Sequence, residues 1–142
     1  MGVPAHDLTS DGRQPEPPSP PETYTLFTPG NAHSAKICRD FVQRTLQTLG
    51  IGHLGDTAAL CTSELVTNVH QHTKSDVHLR AAVAATHVRI AVYDDGDRLP
   101  TPRRPDAEEE SGRGLFLVTA LSDVCGVTPA SAGKGVWFQL NR

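Results

Sequence analysis

The chain is poor in aromatic residues, with one Trp, two Tyr and four Phe among 142 residues. Its core must therefore be aliphatic, and a hydrophobic content of 37% is enough for one domain. Long apolar runs are missing too, and none approaches the ~20 residues of a membrane-spanning helix. The N-terminus has neither the charged nor the apolar region of a signal peptide, which sets the expectation of a cytoplasmic protein. A basic excess is also absent. The net charge of −3 argues against a nucleic-acid binder, which would carry a basic stripe. Cysteine is scarce: Cys38, Cys61 and Cys125 each lie in an apolar run, form no Cys-x-x-Cys pair and read as reduced core residues. His70 and His72 would point about 160° apart on a helix, so they do not make a zinc pair.

Proline is concentrated at one end. Residues 1–22 hold six of the eleven prolines and too little apolar surface to offset the entropy of ordering. The expectation is a disordered tail followed by one domain over residues 23–142, with a proline-rich docking peptide as the other reading of the tail. Within the domain, Tyr24 to Phe27 reads as a short strand stopped by Pro29-Gly30. Asn31 can cap a helix running to about Leu49, with Cys38, Phe41, Val42, Thr45 and Leu49 on its inner face. Gly50, Gly52 and Gly55 break it, and a second helix runs from Asp56 to His72. Val77–Ala84 and His87–Tyr93 form a hairpin, Leu115–Leu121 a short buried helix, and Asp123–Thr128 and Val136–Leu140 the last strands. This order implies an α+β fold, a two-layer sandwich with helices on one face of a mostly antiparallel sheet.

Three stretches carry chemistry. In Thr62-Ser63-Glu64-Leu65-Val66-Thr67-Asn68-Val69-His70-Gln71-His72-Thr73, Glu64 and Asn68 share a helix face one turn apart, beside the apolar Leu65 and Val69. A carboxamide oxygen can ligate a hard cation such as Mg2+ while phosphates complete its shell. The neighbouring carboxylate is free to accept a proton from an attacking hydroxyl or water. An ordinary amphipathic helix could carry the same pair on its polar edge. The strand ending at Tyr93 delivers Asp94 into Asp94-Asp95-Gly96, where the carboxylate can accept from an exocyclic amine such as that of adenine; a plain Asp-Gly turn has the same letters. Gly112-Arg113-Gly114 precedes an apolar stretch, and glycines ahead of a helix N-terminus leave backbone N–H groups free to cradle phosphate. A hinge would look the same, and the spacing fits neither a Walker A loop nor a dinucleotide fingerprint.

In this order and at this spacing, closed by the glycine turn and strand Ser131–Leu140, the stretches resemble the GHKL ATPase superfamily. More narrowly, the chain resembles the anti-sigma-factor serine kinase family (RsbW-like), small ATP-binding regulators of bacteria. The likeness runs from about Tyr24 to the C-terminus and includes the helix around Phe41, Ser63-Glu64-Leu65-Val66-Thr67-Asn68 and Val136-Trp137-Phe138. The resemblance implies ATP and Mg2+ as cofactors, with Asn68 ligating the metal and Glu64 as general base. It makes Asp94 the adenine-binding acid, Gly96 a shaper of the base pocket, and Gly112 and Gly114 parts of a phosphate-binding lid. Arg113 becomes a phosphate contact, His72 a residue at the pocket edge, and the stretch from Asp97 to Gly112 the lid. That stretch also reads as a solvated variable loop, since its run Asp106-Ala107-Glu108-Glu109-Glu110 would repel phosphate. Two positions depart from the family pattern. Arg98 replaces the second glycine of the adenine box, and Gly135 stands where the last box carries a hydroxyl.

Two readings follow. As an enzyme, the chain would transfer the ATP γ-phosphoryl group to a Ser or Thr of a small antagonist protein and sequester a regulator such as a sigma factor. As a module, it would bind that regulator in an ATP-dependent way with little or no phosphotransfer. Related kinases dimerise, which leaves a homodimer open. A histidine kinase catalytic domain does not fit, because no dimerisation helix pair carries a phosphoacceptor His.

Overall fold

Alternation in Val77-His78-Leu79-Arg80-Ala81-Ala82-Val83 sends every second side chain to the same side, and Val77, Leu79, Ala81 and Val83 are the buried ones. The structure, a computed structural model, describes residues 19–73, 75–94, 110–130 and 133–142. Over these residues the order is β1 (Glu22–Thr28), α1 (Ser34–Thr48), a 3-10 turn at Gly52–Leu54 and α2 (Gly55–His72). There follow β2 (Val77–Val83), β3 (His87–Asp94), α3 (Glu110–Leu121), β4 (Val124–Ala130) and β5 (Gly133–Asn141). The five strands pair antiparallel in the order β1-β2-β3-β5-β4. The expected α+β sandwich is what forms.

The core lies between the helices and one face of the sheet. Cys38, Val42 and Leu46 recur one turn apart on α1, and Ala58, Cys61, Leu65, Val66 and Val69 line the inner side of α2. They meet Leu79 of β2, Val88, Ile90 and Val92 of β3, and Phe138 and Leu140 of β5. Phe138 is the one large ring in this core, as the aromatic shortage required. Each fully buried Leu, Ile, Val or Phe contributes about 1.5–3 kcal/mol over leaving it exposed.

Local chemistry sets the element ends. Asn31 Oδ1 accepts from the His33 N–H at 2.8 Å, while the buried Ser34 hydroxyl donates to the Pro29 carbonyl and accepts from the Asn31 N–H. Asn31 thus shapes the turn ahead of α1, as its position suggested, although it caps no N–H inside the helix. At the other end Gly50 takes φ 78°, and the bonds Gly50 N–H to Gln47 O and Ile51 N–H to Leu46 O close the helix. That left-handed turn requires glycine. α3 differs from expectation: it begins at Glu110, not Leu115, so the lid stretch loses its last residues to the helix. The remainder of the lid, and the tail up to Pro18, lie outside the described residues.

Candidate functional site

The α2 helix places Glu64 and Asn68 one turn apart, half-buried, along the edge of its apolar face. One turn before Glu64 lies Cys61, fully buried, whose thiol is pushed up to about 11 by burial first and then by the charges of Glu64 and Cys125. The Glu64 carboxylate thus borders the core and is not a free surface charge. His72 closes the helix on its exposed side.

Packing of α3 against α2 completes this side of the site. At Gly114, a Cβ would lie 2.8 Å from Glu64 Oε2, closer than real Cβ atoms come. The missing side chain lets α3 approach the carboxylate. Gly112 and Gly114 therefore do not precede the helix as expected; both lie within α3, with Arg113 between them. The first-turn N–H groups, which have no partner within the helix, belong to the residues just ahead of Gly114.

The sheet supplies the third part. Asp94 is the last residue of β3 and continues the inward row of Val88, Ile90 and Val92, at 5% exposure. β3 runs beneath α2, so the Asp94 carboxylate ends on the helical side of the sheet. Gly135 takes the opposite face. It pairs with Tyr93, and a Cβ there would lie 2.5 Å from Tyr93 Cε1. The space a hydroxyl-bearing residue would need at 135 is filled by the Tyr93 ring, on the side away from Asp94. Tyr93 is thus a determinant that the sequence reading passed over. Glycine inside a strand, which often marks close approach of another group, was the available signal. Gly96 lies outside the described residues.

These groups suit a polyphosphate and a hard cation. Carboxylate and carboxamide oxygens are hard donors, and the approach left open by Gly114 is a cradle that any Cβ would fill. Residues 28–140 match the family described as the histidine kinase-like ATPase domain.

The chain belongs to that family.

Among solved structures, the RsbU and RsbW domains of Rv1364c from Mycobacterium tuberculosis are similar, with a TM-score of 0.65 and 20% identity over 92% of this chain. The match spans 34% of that chain, and at such identity the likeness is one of fold. Comparison with curated proteins gives no match. As a histidine kinase-like ATPase domain, the chain has its helix with Glu64 and Asn68, its strand ending in Asp94 and Gly114 of α3 all inside the matched span. Membership implies ATP binding. Among the described residues no helix is long and apolar enough to cross a membrane.

Proposed function

We propose that this histidine kinase-like ATPase domain binds ATP and Mg2+ between α2, the end of β3 and α3, and works as a cytoplasmic serine/threonine kinase of the anti-sigma-factor type. Its substrate would be a Ser or Thr of a small antagonist protein, and the regulator it sequesters a sigma factor or similar protein. The observation that carries this reading is the half-buried Glu64 carboxylate held against Gly114 at the crossing of α2 and α3.

In this reading Asp94 accepts a hydrogen bond from the exocyclic amine of adenine, and Gly96 shapes the base pocket. Asn68 holds the metal, which when bound neutralises charge on the phosphates. Backbone N–H groups at the start of α3, around Gly112 and Gly114, face phosphate oxygens, with Arg113 as a further contact. Glu64 accepts the proton of the attacking hydroxyl. The oxygen of that hydroxyl bonds to the γ-phosphorus as the bond to the β–γ bridging oxygen breaks, and ADP leaves. His72 stands at the rim.

The second reading is an ATP-dependent binding module with little phosphotransfer. Position 135 lacks the hydroxyl of the family pattern, but a side chain there would point to the sheet face away from Asp94, where the Tyr93 ring sits. Glu64→Gln separates the two, because it keeps size and most hydrogen bonding but cannot take a proton. If Glu64 is the base, the variant binds ATP-Mg2+ and partner normally while phosphotransfer falls by about 10²–10⁴-fold. Equal phosphotransfer in variant and wild type would remove Glu64 from the role. A wild type that captures a partner without phosphorylating it would favour the module.

A further inference from the structure

The sheet face turned away from the helices collects rings and cations. By register it carries Phe27 on β1, His78 and Arg80 on β2, Arg89 and Tyr93 on β3, and Trp137 on β5. Phe27 is 72% exposed and stacks on His78 with centroids 4.2 Å apart, and His78 leans on Tyr93 at 5.4 Å. The Arg89 guanidinium lies 4.0 Å above the Trp137 ring. No Asp or Glu points to this face among the described strand residues, although the chain holds 16 acids against 13 Lys and Arg. All three described helices pack on the other side.

A ligand for such a face should be anionic and able to stack on aromatic rings. Proline-rich segments dock on aromatic-lined surfaces in this way, and their fixed φ lowers the cost of ordering. The chain supplies one: Pro15-Glu16-Pro17-Pro18, with Asp7 and Asp11 upstream and Arg13 as the one cation. It leads directly into β1, the edge strand that carries Phe27. Trp137 lies three strands in, about 14 Å at the ~4.8 Å strand spacing. Seven residues at ~3.1 Å each cover that distance. A second copy docked face to face would instead oppose two surfaces of like sign, which is unfavourable.

We propose that this basic aromatic face is the docking surface for the chain's own proline-rich N-terminal segment. The tether keeps the effective concentration of the segment high, so individually weak contacts suffice. Occupancy of the face is then open to control by anything that competes for either party.

Trp137 is the only tryptophan, so its fluorescence reports on the face without labelling. The comparison is between the full chain and a full-length variant carrying Pro15→Gly, Glu16→Lys, Pro17→Gly and Pro18→Gly, with far-UV circular dichroism to confirm an unchanged fold. In the variant, acrylamide quenching of Trp137 should rise at least twofold and its emission shift to the red. A synthetic peptide of residues 5–21 added to the variant should restore shielding, and Arg80→Glu in the otherwise native chain should mimic the tail variant. Equal quenching in the two proteins, or no restoration by the peptide, would overturn the proposal. So would a wild-type signal that changes with protein concentration, since it would put a second copy on the face.

Discussion

Thr62 shows how much single residues decide in this core. It sits on the inner face of α2 at 0% exposure, and its hydroxyl has no hydrogen-bond partner among the described residues. A buried hydroxyl left unpaired costs about 1–3 kcal/mol. Thr62→Val keeps the shape and removes that cost, so thermal unfolding should shift upward by several degrees. A lower melting temperature would mean that the hydroxyl has a role this packing does not reveal. Residue identity also singled out Glu64, Asn68 and Asp94 as candidates, because each is a polar group at a position where hydrophobic periodicity or a strand end demands explanation. Tyr93 was not legible: its ring acts through a glycine 42 positions later in the chain, and only strand register brings the two together.

Elements were readable where their period was strong. The second helix and the central hairpin fall within one residue of where alternation and 3.6-residue spacing put them, while α1 starts two residues later than a cap at Asn31 implied, with His33 as its N-cap. α3 was read short by five residues, because Gly112 and Gly114 look like helix breakers. Packing overrides that propensity at Gly114, where any Cβ would meet Glu64 Oε2 at 2.8 Å. Gly114→Ala tests the trade. Alanine is favoured over glycine in a helix by about 1 kcal/mol, yet its Cβ must displace the Glu64 carboxylate. The expected result is unchanged or raised stability with a large loss of phosphotransfer, measured by melting and single-turnover assays; intact turnover would show that Glu64 needs no such precise seat. Gly135→Thr gives the opposite contrast. Rebuilding the family hydroxyl drives a Cβ into the Tyr93 ring, so stability should fall by about 1–3 kcal/mol in chemical denaturation. Adding Tyr93→Ala should return part of it, and a stabilised single variant would contradict the packing.

At the scale of the molecule, one sheet divides two kinds of surface. Its helical side holds the aliphatic core and, at the edge of that core, Glu64, Asn68 and Asp94 of the proposed nucleotide site. Its other side holds the exposed Phe27, the half-buried rings of His78, Tyr93 and Trp137, and the exposed Arg80 and Arg89. This segregation follows from two-residue alternation in every strand, so the fold class was written in the sequence, whereas strand order was not. Nucleotide binding at the α2–β3–α3 junction is the central proposal for this domain. Isothermal titration of ATP-Mg2+ and of adenosine into wild type, Asn68→Ala and Asp94→Asn tests it most directly. Asn68→Ala should weaken ATP-Mg2+ by tenfold or more while adenosine binding stays nearly constant, and Asp94→Asn should weaken both alike. Equal losses for both ligands in Asn68→Ala, or no ATP binding by wild type, would contradict it.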